Sequence, residues 1–231
     1  MAVAVALFVV GVVALTLGLR GNDGPPQPVA APAASGPASA PAAPPTTPSA
    51  TSAPTGSATP TTPRAAASAA PGPAFGPFLP ASAPTRIDIA SIGLQSTNFV
   101  ALSVAADGTL NVPGTADEVG LYDGGPTPGQ LGPAVLAAHV DSKQGPGVFY
   151  RLGSVKPGAQ VSIGRADGSV VTFVVDRVAS YPKDQFPTDL VYRGDFNRSE
   201  IRLVTCAGAY DKSKGGYLDN VVVFAHLTKA A

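Results

Sequence analysis

The chain has 231 residues, with 15 Lys plus Arg against 15 Asp plus Glu, 45% hydrophobic residues, one cysteine and two histidines. Balanced charge excludes the basic footprint of a nucleic-acid binder. A lone cysteine excludes an internal disulfide framework, and no histidine sits at ligand spacing from the other or from the cysteine, so neither a metal nor a cofactor is expected.

The first element is AVAVALFVVGVVALTLGL, Ala2 to Leu19, which carries no charge and Thr16 as its only hydroxyl. As a helix it would reach ~27 Å, close to the thickness of a bilayer core. A cleaved signal peptide is the competing reading, but its apolar region is normally ~7–15 residues behind a basic start, and no Lys or Arg precedes this run. Residues 1–20 are therefore expected to be a transmembrane anchor, or else a signal segment. Arg20 alone, after the helix, would orient it the wrong way round for an exported domain.

Residues 21–84 form a linker. From 24 to 84 it is nearly all Pro, Ala, Ser, Thr and Gly, holds 17 of the 25 prolines and has one charged side chain, Arg64. Too little apolar side chain is present to offset the entropy of ordering, so a disordered tether is expected, with a root-mean-square span of about 40–45 Å. Such reach suits a domain working outside the membrane, within a cell wall. A glycosylated stalk has the same composition.

Residues 85–231 are long enough for one domain with a real core. Eight short apolar runs follow in order: RIDIASI, FVALSVAADG, TLNVP, AVLAAHV, AQVSIG, GSVVTFVVDRVASY, EIRLVTC and NVVVFAHL. They are β-branched and bounded by Gly, Pro or Asp, which predicts an all-β barrel or sandwich. ADGT (106–109) and ADGS (166–169) are predicted hairpin turns, because Asp-Gly tolerates the positive φ they need.

Cys206 ends the seventh run. It is either a small buried apolar residue or a nucleophile. A free thiol near pKa ~8.5 is only a few per cent ionised at neutral pH, so a nucleophile needs a basic neighbour. His139 closes AVLAAHV where a strand gives way to a Gly- and Pro-containing loop, a position suited to lining a cleft. His226 lies inside the last run and is the weaker partner.

These residues resemble a known family. LVTC (203–206) is similar to the strand-borne cysteine signature of sortases, the cysteine transpeptidases of Gram-positive cell surfaces. RIDIASIGL, DGTLNVP, VGLYDGGPTPGQLGPAVLAAHVD, GVFYRLGSVKPGAQV, YPKDQFPTDLVY and LVTCAGAYDKSKGGYLDNVVVFA match further blocks in the family's order, over nearly all of residues 85–227. The resemblance is closest to class F sortases of actinobacteria. It implies a closed eight-stranded β-barrel acting as a monomer, anchored in the cell membrane by a single span with its catalytic domain on the cell-wall side. Its substrate would be the Leu-Pro-x-Thr-Gly-like sorting signal of secreted surface proteins, cleaved after Thr through a thioester, with a peptidoglycan-precursor amine as acceptor. Carried over, Cys206 is the nucleophile and His139 the general acid and base.

The chain departs from that pattern in two places. Related chains carry an arginine near the position of Leu218, whereas no arginine follows Cys206 here. Lys212, Lys214, Asn220, Arg177, Arg193 and Arg202 are the substitutes in view, Arg202 being ~13 Å from Cys206 along a strand. Ala138 stands where glycine usually precedes the histidine, which is tolerable unless that backbone needs a positive φ. DGTLNVPGTADE lacks the oxygen spacing of a calcium loop. Two rival functions are an L,D-transpeptidase-like wall cross-linker, which would carry a Ser-x-Gly-Cys neighbourhood, and a non-catalytic wall-binding β domain with an inert Cys206.

Overall fold

A computed structural model describes residues 24–28, 76–106 and 109–231. The run expected to form the anchor and most of the linker lie outside the described residues. No helix among the described residues is long and apolar enough to cross a membrane.

The domain is one sheet curled around a core. In chain order its strands are β1 (Pro84–Ile89), β2 (Leu94–Ser96), β3 (Phe99–Leu102), β4 (Val119–Tyr122), β5 (Gly132–Ala138), β8 (Gln160–Arg165), β9 (Val170–Pro182), β10 (Ser199–Asp211) and β11 (Gly216–Ala230). Between β5 and β8 a small separate hairpin pairs β6 (Asp141–Ser142) with β7 (Gly145–Pro146), and α1 (Thr188–Tyr192) joins β9 to β10. The large sheet runs β2-β1-β8-β9-β11-β10-β5-β4-β3, antiparallel except for β5 beside β10 and β3 beside β4.

The expected closed barrel of eight strands is thus corrected to a nearly closed sheet of nine, with β2 and β3 at its edges. Only Thr97 and Asn98 separate these two edge strands, so the covalent chain itself draws the edges together. Seven of the eight apolar runs contain a strand of the sheet. TLNVP forms only an isolated bridge from Leu110 to Val104. The two extra strands are short: β2 has three residues, and β4 reads VGLY, whose glycine breaks a strand signal. Gly120 has a packing reason, because the Leu102 side chain lies where its Cβ would stand.

Period-two alternation sorts the strand residues onto two faces. Ile201, Leu203 and Ala207 of β10 point inward to a core that also takes in Ile87, Ile89, Leu136, Phe149, Ile163, Phe173 and Val223. The alternate residues form a second apolar cluster on the outer face, where Val135, Val222 and Phe224 pack with Val191 of α1. Each fully buried side chain of this size contributes roughly 1.5–3 kcal/mol of transfer free energy.

The ADGS turn joins β8 to β9, with Gly168 at φ +83° and its N–H donating to the Arg165 carbonyl at 3.0 Å. At ADGT, Asp107 and Gly108 lie outside the described residues, but Ala105 N–H donates to Thr109 across it at 2.8 Å. Two pieces of chain upstream of β1 also touch the domain. Gly76 and Leu79 donate backbone hydrogen bonds to Asn197 and Gly129 at 3.0 and 2.8 Å, and Gly24–Pro28 contacts Gly153 and Gly208.

Candidate active site

The parallel pairing of β5 and β10 runs from Gly132 opposite Ser199 to Ala137 opposite Val204. Cys206 and His139 each lie two residues beyond that last pair, so the same register brings them level on the outer face. Just before them, the Thr205 hydroxyl donates to the Ala138 carbonyl at 2.8 Å and stitches the two strands together. Cys206 is half-buried and unpaired. Its cross-strand partner on the other side is Asn220 of β11.

His139 lies where β5 ends, with Nε2 at 2.8 Å from the Pro113 carbonyl oxygen. A carbonyl only accepts, so Nε2 carries a hydrogen, and the neutral ring keeps its lone pair on Nδ1. The loop after His139 folds back on itself: Phe149 N–H donates to the His139 carbonyl at 3.2 Å and Gly147 N–H to Val140 at 2.8 Å. Ala138, like every described non-glycine residue, has no positive φ, so this backbone does not require glycine.

Asp141, two residues past His139, accepts a 2.5 Å hydrogen bond from the Tyr217 hydroxyl of β11. That bond ties the histidine loop to the hairpin that carries Cys206. Burial first, then the Asp141 carboxylate, with smaller contributions from Tyr150 and Cys206, raises the Tyr217 hydroxyl well above its usual range, so it stays a donor. Sequence spacing offered no signal for a contact between residues 141 and 217.

Next to Cys206 the outer face is apolar, giving way to Arg202 and Glu200 nearer the start of β10. Half-buried Ala137, Val204, Ala179 and Tyr181 lead to Val222 and Val135 beneath α1. Edge-to-face pairs at 5.3 Å (Tyr122 and Tyr192) and 6.3 Å (Tyr181 and Phe186) wall it.

None of the arginines considered above is committed to Cys206. Arg177 and Arg202 both lie over the Phe224 ring, 3.6 and 4.8 Å from its centroid, and Phe224 is four residues along β11 from Asn220. Arg202 is also held by Glu200, whose side chain is 2% exposed and which binds Arg198 as well. Burial lowers the Arg202 guanidinium below its ordinary value, and Glu200 opposes the shift. Arg193 pairs with Asp189 on the surface, and Lys212 and Lys214 are exposed in the β10–β11 turn. Leu218 shares the face of Asn220 and carries no charge. His226 binds Asp176 at 2.7 Å and pairs with Glu200, six residues and ~20 Å down β10 from Cys206. Among the described residues no group of His, Cys, Asp and Glu is placed to hold a metal.

Glu200→Ala is expected to destabilise the domain by about 3–5 kcal/mol, because it leaves Arg202 buried among Arg177 and Arg198 with no counter-charge. Chemical denaturation followed by circular dichroism would measure the loss.

A sortase domain model matches residues 87–228. No curated protein sequence matches the chain. Among solved structures, the chain is similar to a lid mutant of sortase A from Corynebacterium diphtheriae, at 20% identity and a TM-score of 0.48, covering 62% of this chain and 69% of that one. Sortase C1 from Streptococcus agalactiae gives 17% identity and a TM-score of 0.49 over 63% and 67% of the two chains. Listeria monocytogenes sortase A gives 16% and 0.49 over 65% and 89%.

Proposed function

The chain belongs to the sortase family of cysteine transpeptidases, and we propose that it is a membrane-anchored, class F-type member that transfers secreted proteins carrying a Leu-Pro-x-Thr-Gly-like signal to a cell-wall amine. The observation that supports this reading is the β5–β10 register, two residues beyond whose last pair stand both the thiol and the imidazole, beside half-buried Val204 and Ala137.

The Cys206 sulfur attacks the threonine carbonyl, giving a tetrahedral intermediate that collapses to a thioester as the C–N bond breaks. His139 Nδ1, protonated in the imidazolium, gives its proton to the departing amine. An incoming amine then attacks the thioester, returns a proton to Nδ1 and regenerates the thiolate. Pro113 keeps Nε2 out of both transfers, so one ring atom serves leaving group and nucleophile in turn. The oxyanion needs a donor where no arginine stands, and the Asn220 side-chain amide, opposite Cys206, is the polar group in position. Half-buried Ala137, Val204, Ala179 and Tyr181 suit the leucine and proline of the signal, whose burial against them would provide orientation.

Mass spectrometry of the full chain incubated with a Leu-Pro-x-Thr-Gly peptide library and small amines tests the reading. The expected result is an acyl adduct on Cys206 whose mass ends at threonine, resolved to an amide product when amine is added. Absence of any adduct across the library would refute it.

A further inference from the structure

Gly24–Pro28 seats itself at two glycines beside the candidate site. Gly208, two residues past Cys206, has φ +78° at the irregularity where the β10–β11 ladder shifts between Ala207 and Tyr210. A bulged residue drops out of the ladder, and the Gly208 N–H donates instead to Gln27 Oε1 at 3.2 Å. Gln27 is pre-shaped for this, since its Nε2 donates back to the Pro25 carbonyl at 2.9 Å. Pro25 is buried. The second glycine, Gly153, lies in the turn Leu152–Ser154. A Cβ there would overlap the Pro26 carbonyl, and its three nearest atoms all come from Pro26 and Gln27. Gly153 has no positive φ, so nothing in its own backbone conformation calls for glycine. Its missing side chain forms a notch that the segment fills.

The side of Cys206 on which this occurs indicates what is displaced. The half-buried apolar strip that suits the sorting signal runs from Cys206 back toward Val204 and Ala137. Gly208 lies in the opposite direction along β10, the side that the transpeptidase reading leaves to the residues after threonine and to the incoming amine.

We propose that the Gly208 N–H and the Gly153 notch form a subsite for an extended, proline-containing peptide, occupied in this chain by its own residues Pro25–Gln27, and that this occupancy competes with the amine-bearing acceptor. The competition rests on the transpeptidase reading; the docking does not. Two flanking prolines hold the segment extended and lower the entropy cost of binding. One hydrogen bond and one buried proline amount to roughly a tenfold bias, so release remains accessible.

The experiment uses the full chain and two readouts: alkylation of Cys206 by iodoacetamide, and the amine concentration giving half-maximal product. Gly153→Ala is expected to speed alkylation and to lower the half-saturating amine concentration, each by roughly 5- to 10-fold. A chain with Pro25, Pro26 and Gln27 all changed to glycine should do the same, and these positions lie outside the barrel, which guards against a folding defect from Gly153→Ala. Adding the peptide Gly-Pro-Pro-Gln-Pro-Val-Ala to that triple variant should restore slow alkylation, and should fail to do so once Gly153→Ala is also present. Alkylation unchanged in both variants overturns the subsite whatever the enzyme's turnover. Faster alkylation with an unchanged amine requirement overturns the competition and leaves the docking standing.

Discussion

Cys206→Ala is expected to abolish both the acyl adduct and the amide product, a loss of at least about 10⁴-fold in turnover, because no other side chain in the sequence is a thiol. The substitution should cost little stability. Cys206 is half-buried on the outer face and not among the buried core residues, so the cavity left by one sulfur opens toward solvent. Loss of activity with an unchanged melting curve would therefore be read as chemistry. Cys206→Ser is a sharper version, since a hydroxyl of similar size keeps the geometry while its far weaker acidity deprives the histidine of an ionisable partner. A Cys206→Ala protein that still forms product would remove the nucleophile from the mechanism.

His139→Ala should reduce turnover by about 10²–10⁴-fold, the range for losing a positioned acid and base. His139→Gln separates proton transfer from position. Its side-chain amide can still donate to the Pro113 carbonyl and hold the loop, but it cannot exchange a proton at the atom facing the substrate. The two variants should be nearly equally impaired in single-turnover acylation, with melting temperatures closer to wild type for glutamine than for alanine. If glutamine restored most of the rate, the role of His139 would be structural. His226→Ala should leave turnover intact, since that ring is engaged with Asp176 far along β10.

Much of the framework was legible because its signals are local. Alternating β-branched runs declare strands, and Asp-Gly in ADGS declares a hairpin that Gly168 completes. His139 and Cys206 were visible as rare residues at strand ends, and motif order joined them, although only the parallel register of two strands separated by some sixty residues sets them level. What escaped the reading depends on partners distant in the chain. Strand β4 looks like a loop until Leu102 is seen to fill the space above Gly120. Tyr217 and Asp141 carry no motif, yet together they fasten the histidine loop to the cysteine hairpin. Nothing in EIRLVTC signals that Glu200 is enclosed by two arginines. Gly24–Pro28 looks like any other part of a low-complexity tract, and composition carries no information about a notch made by a missing side chain at Gly153.

That docked segment changes what the proline-rich tract measures. Gly24–Pro28 and Gly76 are both held on the same body, so the reach from an anchor ahead of residue 24 is set by the residues before Gly24. In a chain anchored through the proposed span ending at Leu19, only about five residue steps, at most ~17–18 Å, then leash the enzyme to the lipid surface. Release of Pro25–Gln27 would move the first point of attachment from Gly24 to Gly76, so vacating the subsite and lengthening the leash would be one event.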